Sequence, residues 1–256
     1  MAKVTAGAQL YTVREYTNTI EDVRETLEKI ADIGYKSIQI SGFGDVDMAE
    51  VAKICEDNGL KVGATHIGWN RFMEDLDGVV EEHKVLDCEH PAIGGLGNEY
   101  RSVEGIKKFV DELRPIAEKL ADAGMDFSYH NHNHELAKYD GKTWLARLYD
   151  EAPAEILKAE IDTYWIQAGG GDPIQWLRRC AGREPVIHFK DMIVTKEREV
   201  RFAEIGEGNL NWDGIIEASE EGGVLYAMVE QDNCYGRDPF ESLEISYRNL
   251  MEMGLE

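Results

Sequence analysis

Segments with the character of buried strands and segments with the apolar spacing of amphipathic helices follow one another eight times along this chain. A sequence that alternates so strictly satisfies both patterns only if its strands pair in parallel and the connections cross back as helices. The strand-like segments are residues 4–11, 35–41, 60–67, 90–94, 125–131, 156–162, 184–190 and 224–231. Several of them are apolar at most positions, as strands covered on both faces should be. Helical patterns occupy 19–34, 47–58, 72–86, 102–124, 142–151 and 212–222, and two more open at Asp172-Pro173 and Asp238-Pro239, each a capping aspartate followed by a first-turn proline. Thr19 with Asp22 and Asp47 with Glu50 are further start signals, and Gly59 is a stop. Pro115 removes one internal hydrogen bond from the longest helical pattern, where a bend is expected.

Eight such units in 256 residues fit one α/β domain, a (β/α)8 TIM barrel over 1–256, better than an open sheet. No glycine-rich dinucleotide fingerprint is present, and Gly169-Gly170-Gly171 reads as a turn into the Asp172 cap. The net charge of −23 argues against nucleic acid and anionic membranes as partners. No apolar run of 18 residues exists to span a membrane, and the start has no apolar signal region, so a cytoplasmic location is expected. Cys55, Cys88, Cys180 and Cys234 form no CxxC pair and read as reduced structural thiols.

In a barrel the C-terminal strand ends share one face, and active sites sit there. Gln9 and Tyr11 end the first strand, His66 the third, His130 and His132 the fifth, Asp162 the sixth, His188 the seventh and Glu230 the eighth. The run Tyr129-His130-Asn131-His132-Asn133-His134-Glu135 concentrates metal-ligand residue types at one strand end. Polar groups from strands five to eight would meet at one spot, and carboxylates with imidazoles suit Mn²⁺, Zn²⁺, Co²⁺, Fe²⁺ or Mg²⁺. Each residue also has a structural reading. Asp162 can cap the segment 163–167, Glu230 can pair with Lys190, His188 can be a satisfied core histidine, and His132 and His134 can be surface groups. Lys190 shares the parity of His188, and Asp191 lies just beyond, which extends the candidate site. Residues 196–201 read as an exposed loop after the seventh strand.

The set Gln9-Leu10-Tyr11-Thr12-Val13-Arg14, Tyr129-His130-Asn131-His132, Asp162-Thr163, His188-Phe189-Lys190-Asp191, Gly206-Glu207-Gly208 and Val229-Glu230-Gln231-Asp232 resembles the xylose-isomerase-like TIM-barrel superfamily, and within it the sugar phosphate isomerases/epimerases. The likeness runs in order along essentially the whole chain. It implies one divalent metal ion held by a strand-five residue, Asp162, His188 and Glu230. In keto-sugar epimerases of the superfamily the strand-five ligand is a glutamate; here His130 stands at that position, and Glu135 is the nearest carboxylate. His130 is the expected ligand, and Glu135 the expected substrate or supporting group. Trp165 stands where many relatives carry a histidine. The implied chemistry is proton abstraction next to a carbonyl of a small carbohydrate, with Glu230 as base and Lys190 and His66 as donors to the developing oxyanion. Gln9, Tyr11, His66, His132, Glu135 and Trp165 are the expected substrate contacts. Isomerisation or epimerisation leads. A lyase or dehydratase acting on a keto-sugar, keto-glycoside or keto-inositol is the alternative, and a DNA-repair endonuclease of the same fold a remote one. Relatives are often dimers or tetramers, which makes a homo-oligomer one expectation.

Overall fold

The computed structural model describes residues 3–255. Eight strands form one parallel sheet: β1 (Thr5–Gln9), β2 (Ser37–Ile40), β3 (Lys61–His66), β4 (Pro91–Ile93), β5 (Ser128–His130), β6 (Lys158–Glu160), β7 (Val186–Phe189) and β8 (Tyr226–Val229). The spatial order is β6-β5-β4-β3-β2-β1-β8-β7, and every pairing is parallel. The sheet closes on itself where β6 meets β7. Ala159 N donates to Arg183 O at 2.8 Å, His188 N donates to Ile161 O at 2.9 Å, and Asp162 and His188 form a parallel bridge. Closure through these two residues draws the candidate ligands of strands six and seven together.

Alternation along each strand separates two environments. Outward residues such as Ile38, Tyr129, Ala159, Ile161, Ile187, Phe189, Ala227 and Val229 pack under the surrounding helices in the main core. The barrel interior is filled at its N-terminal end by Ala64, Val186, Met228 and the partly buried Tyr226. Gly7 makes room for this layer: a Cβ there would stand 2.4 Å from the Met228 sulfur. Towards the C-terminal end the interior turns polar, with Gln39, His130, Glu160, Asp162, His188 and Glu230 all buried. The strands are thus apolar on their outer faces and hold chemistry inside.

The helices follow the caps in the sequence. Thr19 and Asp22 form a reciprocal capping box on Ile20–Ile33, and Asp172 and Asp238 cap the two helices that open with proline. The helix Val103–Asp122 runs on through Pro115. Three expectations change in detail. The first strand stops at Gln9, because residues Leu10–Tyr16 coil into a 3-10 segment. The helix expected at 72–86 is two, Trp69–Glu74 and Leu76–Val85, since Asp75 leaves helical geometry and caps the second piece through Gly78 N. The loop expected at 196–201 belongs to an antiparallel hairpin, Asp191–Val194 against Val200–Ala203. No helix among the described residues is long and apolar enough to cross a membrane.

Candidate active site

The polar layer opens into a cavity of about 760 Å³ at the C-terminal face, lined among others by Tyr11, Arg14, His66, His130, His132, Lys190, Glu230 and Asp232. His130 and Glu230 line the cavity, and their ligand atoms and those of Asp162 and His188 all lie within 4.8 Å of one another, with all four residues buried. His188 Nδ1 is 2.9 Å from Glu230 Oε2 and 3.9 Å from Asp162 Oδ2, and His130 Nε2 is 4.0 Å from that same Asp162 oxygen.

Asp162 divides its two oxygens between two tasks. Oδ1 accepts from Trp165 N at 2.8 Å and caps the short helix Thr163–Ala168. Oδ2 is buried with no hydrogen-bond partner and faces the cluster. A buried carboxylate oxygen without a hydrogen bond is costly; the Lys190 ammonium at 3.5 Å balances part of its charge, and a metal ion at the cluster would complete it. Two carboxylate oxygens with two imidazole nitrogens at this spacing are a fitting donor set for a borderline divalent ion. The structural reading of Asp162 as a cap and the functional reading as a ligand are both satisfied, by different atoms.

Lys190 is buried beside this group. Its ammonium lies 3.0 Å from Glu230 Oε2, 2.8 Å from Asp232 Oδ1 and 3.5 Å from Asp162 Oδ2. The electrostatics call for positive charge at the centre. Burial pushes Lys190 down, but Glu230, Asp162 and Asp232 outweigh it and hold the ammonium above its ordinary range. Burial likewise opposes the charge on His188, yet Glu160 and Glu230 raise it to about 10. Glu230 is driven well below the carboxylate range by Lys190 and His188, against the effect of burial. Asp162 goes the other way, pushed up to about 7 chiefly by burial. His130 is held neutral by burial and by the neighbouring His188 charge, and burial lowers His132 to about 4. Neutral imidazole is the form that binds metal.

The remaining expected contacts divide. Tyr11, His66 and His132 line the cavity. Gln9 lies beneath it, fully buried, accepting from Tyr11 N at 3.0 Å, with its Nε2 unpartnered. Trp165 packs against His132, Tyr164 and Phe202 beside the Lys190 ammonium rather than on the cavity wall. Glu135 faces away from the cavity floor. It accepts from Tyr129 Oη and from His132 N, both at 2.9 Å, and pairs with His134 at 3.1 Å, which ties down the loop after β5. Asp191 also turns out of the site. Its carboxylate accepts from the backbone of Met192, Gly206, Gly208 and Leu210 and from Trp212 Nε1, so it anchors the long connection after β7.

Three residues of the site were assigned no role from the sequence: Glu160, Gln39 and Asp232, the last although it closes the motif Val229-Glu230-Gln231-Asp232. Glu160 is fully buried, with Oε1 2.5 Å from His66 Nε2 and 2.8 Å from His188 Nε2, and it receives Gln39 Nε2 at 3.1 Å. Its signal was parity: in Lys158-Ala159-Glu160-Ile161-Asp162 it shares the inward face with Asp162.

The family model described as xylose isomerase-like TIM barrel matches residues 27–233. Among solved structures, a sugar phosphate isomerase/epimerase from Parabacteroides distasonis superposes with a TM-score of 0.83 at 21% identity, covering 100% of this chain and 96% of that one. An L-ribulose 3-epimerase gives 0.76 at 20% identity over 100% and 95% of the two chains. The IOLI protein, solved with a zinc atom, gives 0.75 at 16% identity over 98% of each. No curated protein matches the sequence. At these identities the structural likeness is one of fold, but the family match covers most of the chain: the protein belongs to the xylose isomerase-like TIM-barrel family.

Proposed function

We propose that this protein is a divalent-metal-dependent isomerase or epimerase of a small carbohydrate, working by proton abstraction next to a carbonyl. The observation that carries the reading is the buried convergence of His130, Asp162, His188 and Glu230, two of which, His130 and Glu230, line the cavity. The names of the structural neighbours, a sugar phosphate isomerase/epimerase and an L-ribulose 3-epimerase, supply the carbohydrate class. These four residues would hold a divalent ion, which would supply Lewis acidity at the reacting carbonyl. Glu230 lines the cavity and takes the proton from the carbon next to that carbonyl. Lys190, held between Glu230 and Asp232, faces the same cavity and stabilises the charge that develops on oxygen. His66 presents a ring edge to the cavity and hydrogen-bonds a substrate hydroxyl. Returning the proton to the neighbouring carbon gives an isomer; delivering one to the opposite face gives an epimer.

One observation favours a second reading. The carboxylates lining the cavity, Glu230 and Asp232, both follow β8 and so stand on one side, whereas the other walls offer imidazoles. Among the described residues that line the cavity, no pair of carboxylates stands on opposite walls. A single well-placed base suffices for elimination, so a lyase acting on a keto-sugar or keto-glycoside follows the same first step. Incubating metal-supplemented protein with a panel of ketoses and keto-glycosides in deuterated water tests both. The first reading expects solvent deuterium in recovered sugar together with an isomer or epimer, the second an absorbing enone. Exchange should vanish in Glu230→Gln. No exchange with any member of the panel would remove the carbohydrate-enolisation reading.

A further inference from the structure

Beneath the four-residue centre lies a buried carboxylate to which the proposed chemistry gives no direct role. Glu160 sits one inward position below Asp162, fully buried, among His66, His188 and Gln39. The proton positions in this group follow from donor and acceptor bookkeeping. Glu160 Oε1 stands 2.5 Å from His66 Nε2 and 2.8 Å from His188 Nε2. An ionised carboxylate only accepts, so both nitrogens must carry hydrogen. Gln39 agrees: its Nε2 donates to Glu160 at 3.1 Å, which leaves its Oε1 facing His188 Nε2 at 2.7 Å, a second acceptor on the same N–H. Turning the amide over would set its oxygen against the carboxylate.

With Nε2 protonated, the other nitrogen of each ring is committed. His188 Nδ1 lies 2.9 Å from Glu230 Oε2 in the ligand centre, so by the same bookkeeping it also carries hydrogen, the proton that a bound metal ion would replace. His66 Nδ1 points towards the cavity wall at Gly94, where a Cβ would lie 3.4 Å away. The two rings are stacked, 5.2 Å between centroids and 18° between planes. One carboxylate therefore holds both in register.

We propose that Glu160 is the positioning residue of the site: it fixes the Nε2–H form of both His188 and His66, so that one Nδ1 is presented to the metal and the other to a substrate hydroxyl. Carboxylates behind metal-binding histidines orient the ring and typically contribute on the order of 10–100-fold in metal affinity. This inference rests on the metal reading above for its first arm only.

The test has two arms. In the first, Co²⁺ binding and the visible spectrum of the Co²⁺ form are compared for wild type, Glu160→Met and Glu160→Gln. Met fills the space without an acceptor, whereas Gln keeps one oxygen to accept from the imidazoles. The expected result is a roughly 10–100-fold loss of affinity and an altered spectrum in Glu160→Met, with substantial recovery in Glu160→Gln. Unchanged affinity in Glu160→Met overturns the proposal. So does an equal and complete loss in both variants, which would make Glu160 a ligand itself. In the second arm, ¹⁵N spectra of the imidazoles are recorded on wild-type protein without added metal, which needs neither a variant that folds nor a metal that binds. Hydrogen on Nε2 of both His66 and His188 is expected, and an unprotonated Nε2 on either ring overturns the proposal. If the wild type fails to bind Co²⁺ while this pattern is present, the metal reading has failed and the positioning role of Glu160 stands.

Discussion

Lys190 Nζ and Glu230 Oε2 stand 3.0 Å apart in the protein interior, and the same ammonium reaches Asp232 and the bare oxygen of Asp162. The lysine thus balances three carboxylates at the rim of the proposed metal centre. Removing one partner of a buried ion pair leaves charge without compensation and costs about 3–5 kcal/mol.

Lys190→Met is therefore expected to lose about 3 kcal/mol of stability in the presence of a chelator. A divalent ion can take over part of the compensation, so the metal-induced rise in Tm should be larger in the variant than in the wild type. Thermal melts with chelator and with Mn²⁺ or Zn²⁺ measure both. An equal metal-induced shift in the two proteins would show that Lys190 and the metal do not share the carboxylates.

Asp191 follows the candidate lysine directly and yet serves the scaffold. It collects four backbone N–H groups and the Trp212 indole N–H, and Gly208 approaches so closely that a Cβ there would stand 2.3 Å from its Oδ1. Each buried donor left unsatisfied costs about 1–3 kcal/mol. Asp191→Ala should thus lose at least about 3 kcal/mol, and Gly208→Ala should destabilise by displacing the same carboxylate. Urea unfolding of the two single variants and the double variant checks this. The double should be far less destabilised than the sum of the singles, because both act on one contact set. Full additivity would contradict the account.

Much of this architecture was legible before any coordinates. The strand–helix alternation specified the barrel, and the strand-end residues His130, Asp162, His188 and Glu230 form one of three clusters of ligand-type side chains, the others being His66, His130, Glu160 and His188, and His132, His134 and Glu135, because parallel strands in one sheet bring their C-terminal ends to one face. Glu160 and Gln39 were harder to see. Glu160 ends β6 one inward position below Asp162, and Gln39 lies just inside the end of β2; neither has a partner near it in the sequence, and their partners lie across the barrel. Glu135 shows the converse. It stands close in sequence to three histidines, but the 3-10 turn His134–Leu136 swings its carboxylate under its own loop, to Tyr129 and His132. Asp75 divided a helix that apolar periodicity alone read as continuous, since its capping bond to Gly78 N starts a new one.

Glu184 gives a pH signature of its own, beneath the active site. It is buried, accepts one hydrogen bond from Ile161 N at 2.9 Å, and burial holds its carboxyl well above the usual range. A group whose folded value is raised contributes stability that is fully present below its unfolded value, about 4.3, and lost as pH rises towards the folded value. Glu184→Gln keeps an acceptor for Ile161 N and removes the ionisation. The stability difference in favour of the variant should thus grow from pH 5 to pH 8, measured by urea midpoints at both. A difference that stays constant or shrinks would show that Glu184 is not held protonated.

The central claim is that His130, Asp162, His188 and Glu230 form one metal site. Metal analysis of purified, metal-reconstituted protein tests it most directly, with wild type beside His130→Ala and Glu230→Gln. About one ion per chain is expected in the wild type, the stoichiometry of a single site with four protein ligands that stays open to substrate, with a clear reduction in both variants. No bound ion in the wild type after reconstitution with Mn²⁺ or Zn²⁺, or full occupancy in both variants, would contradict it.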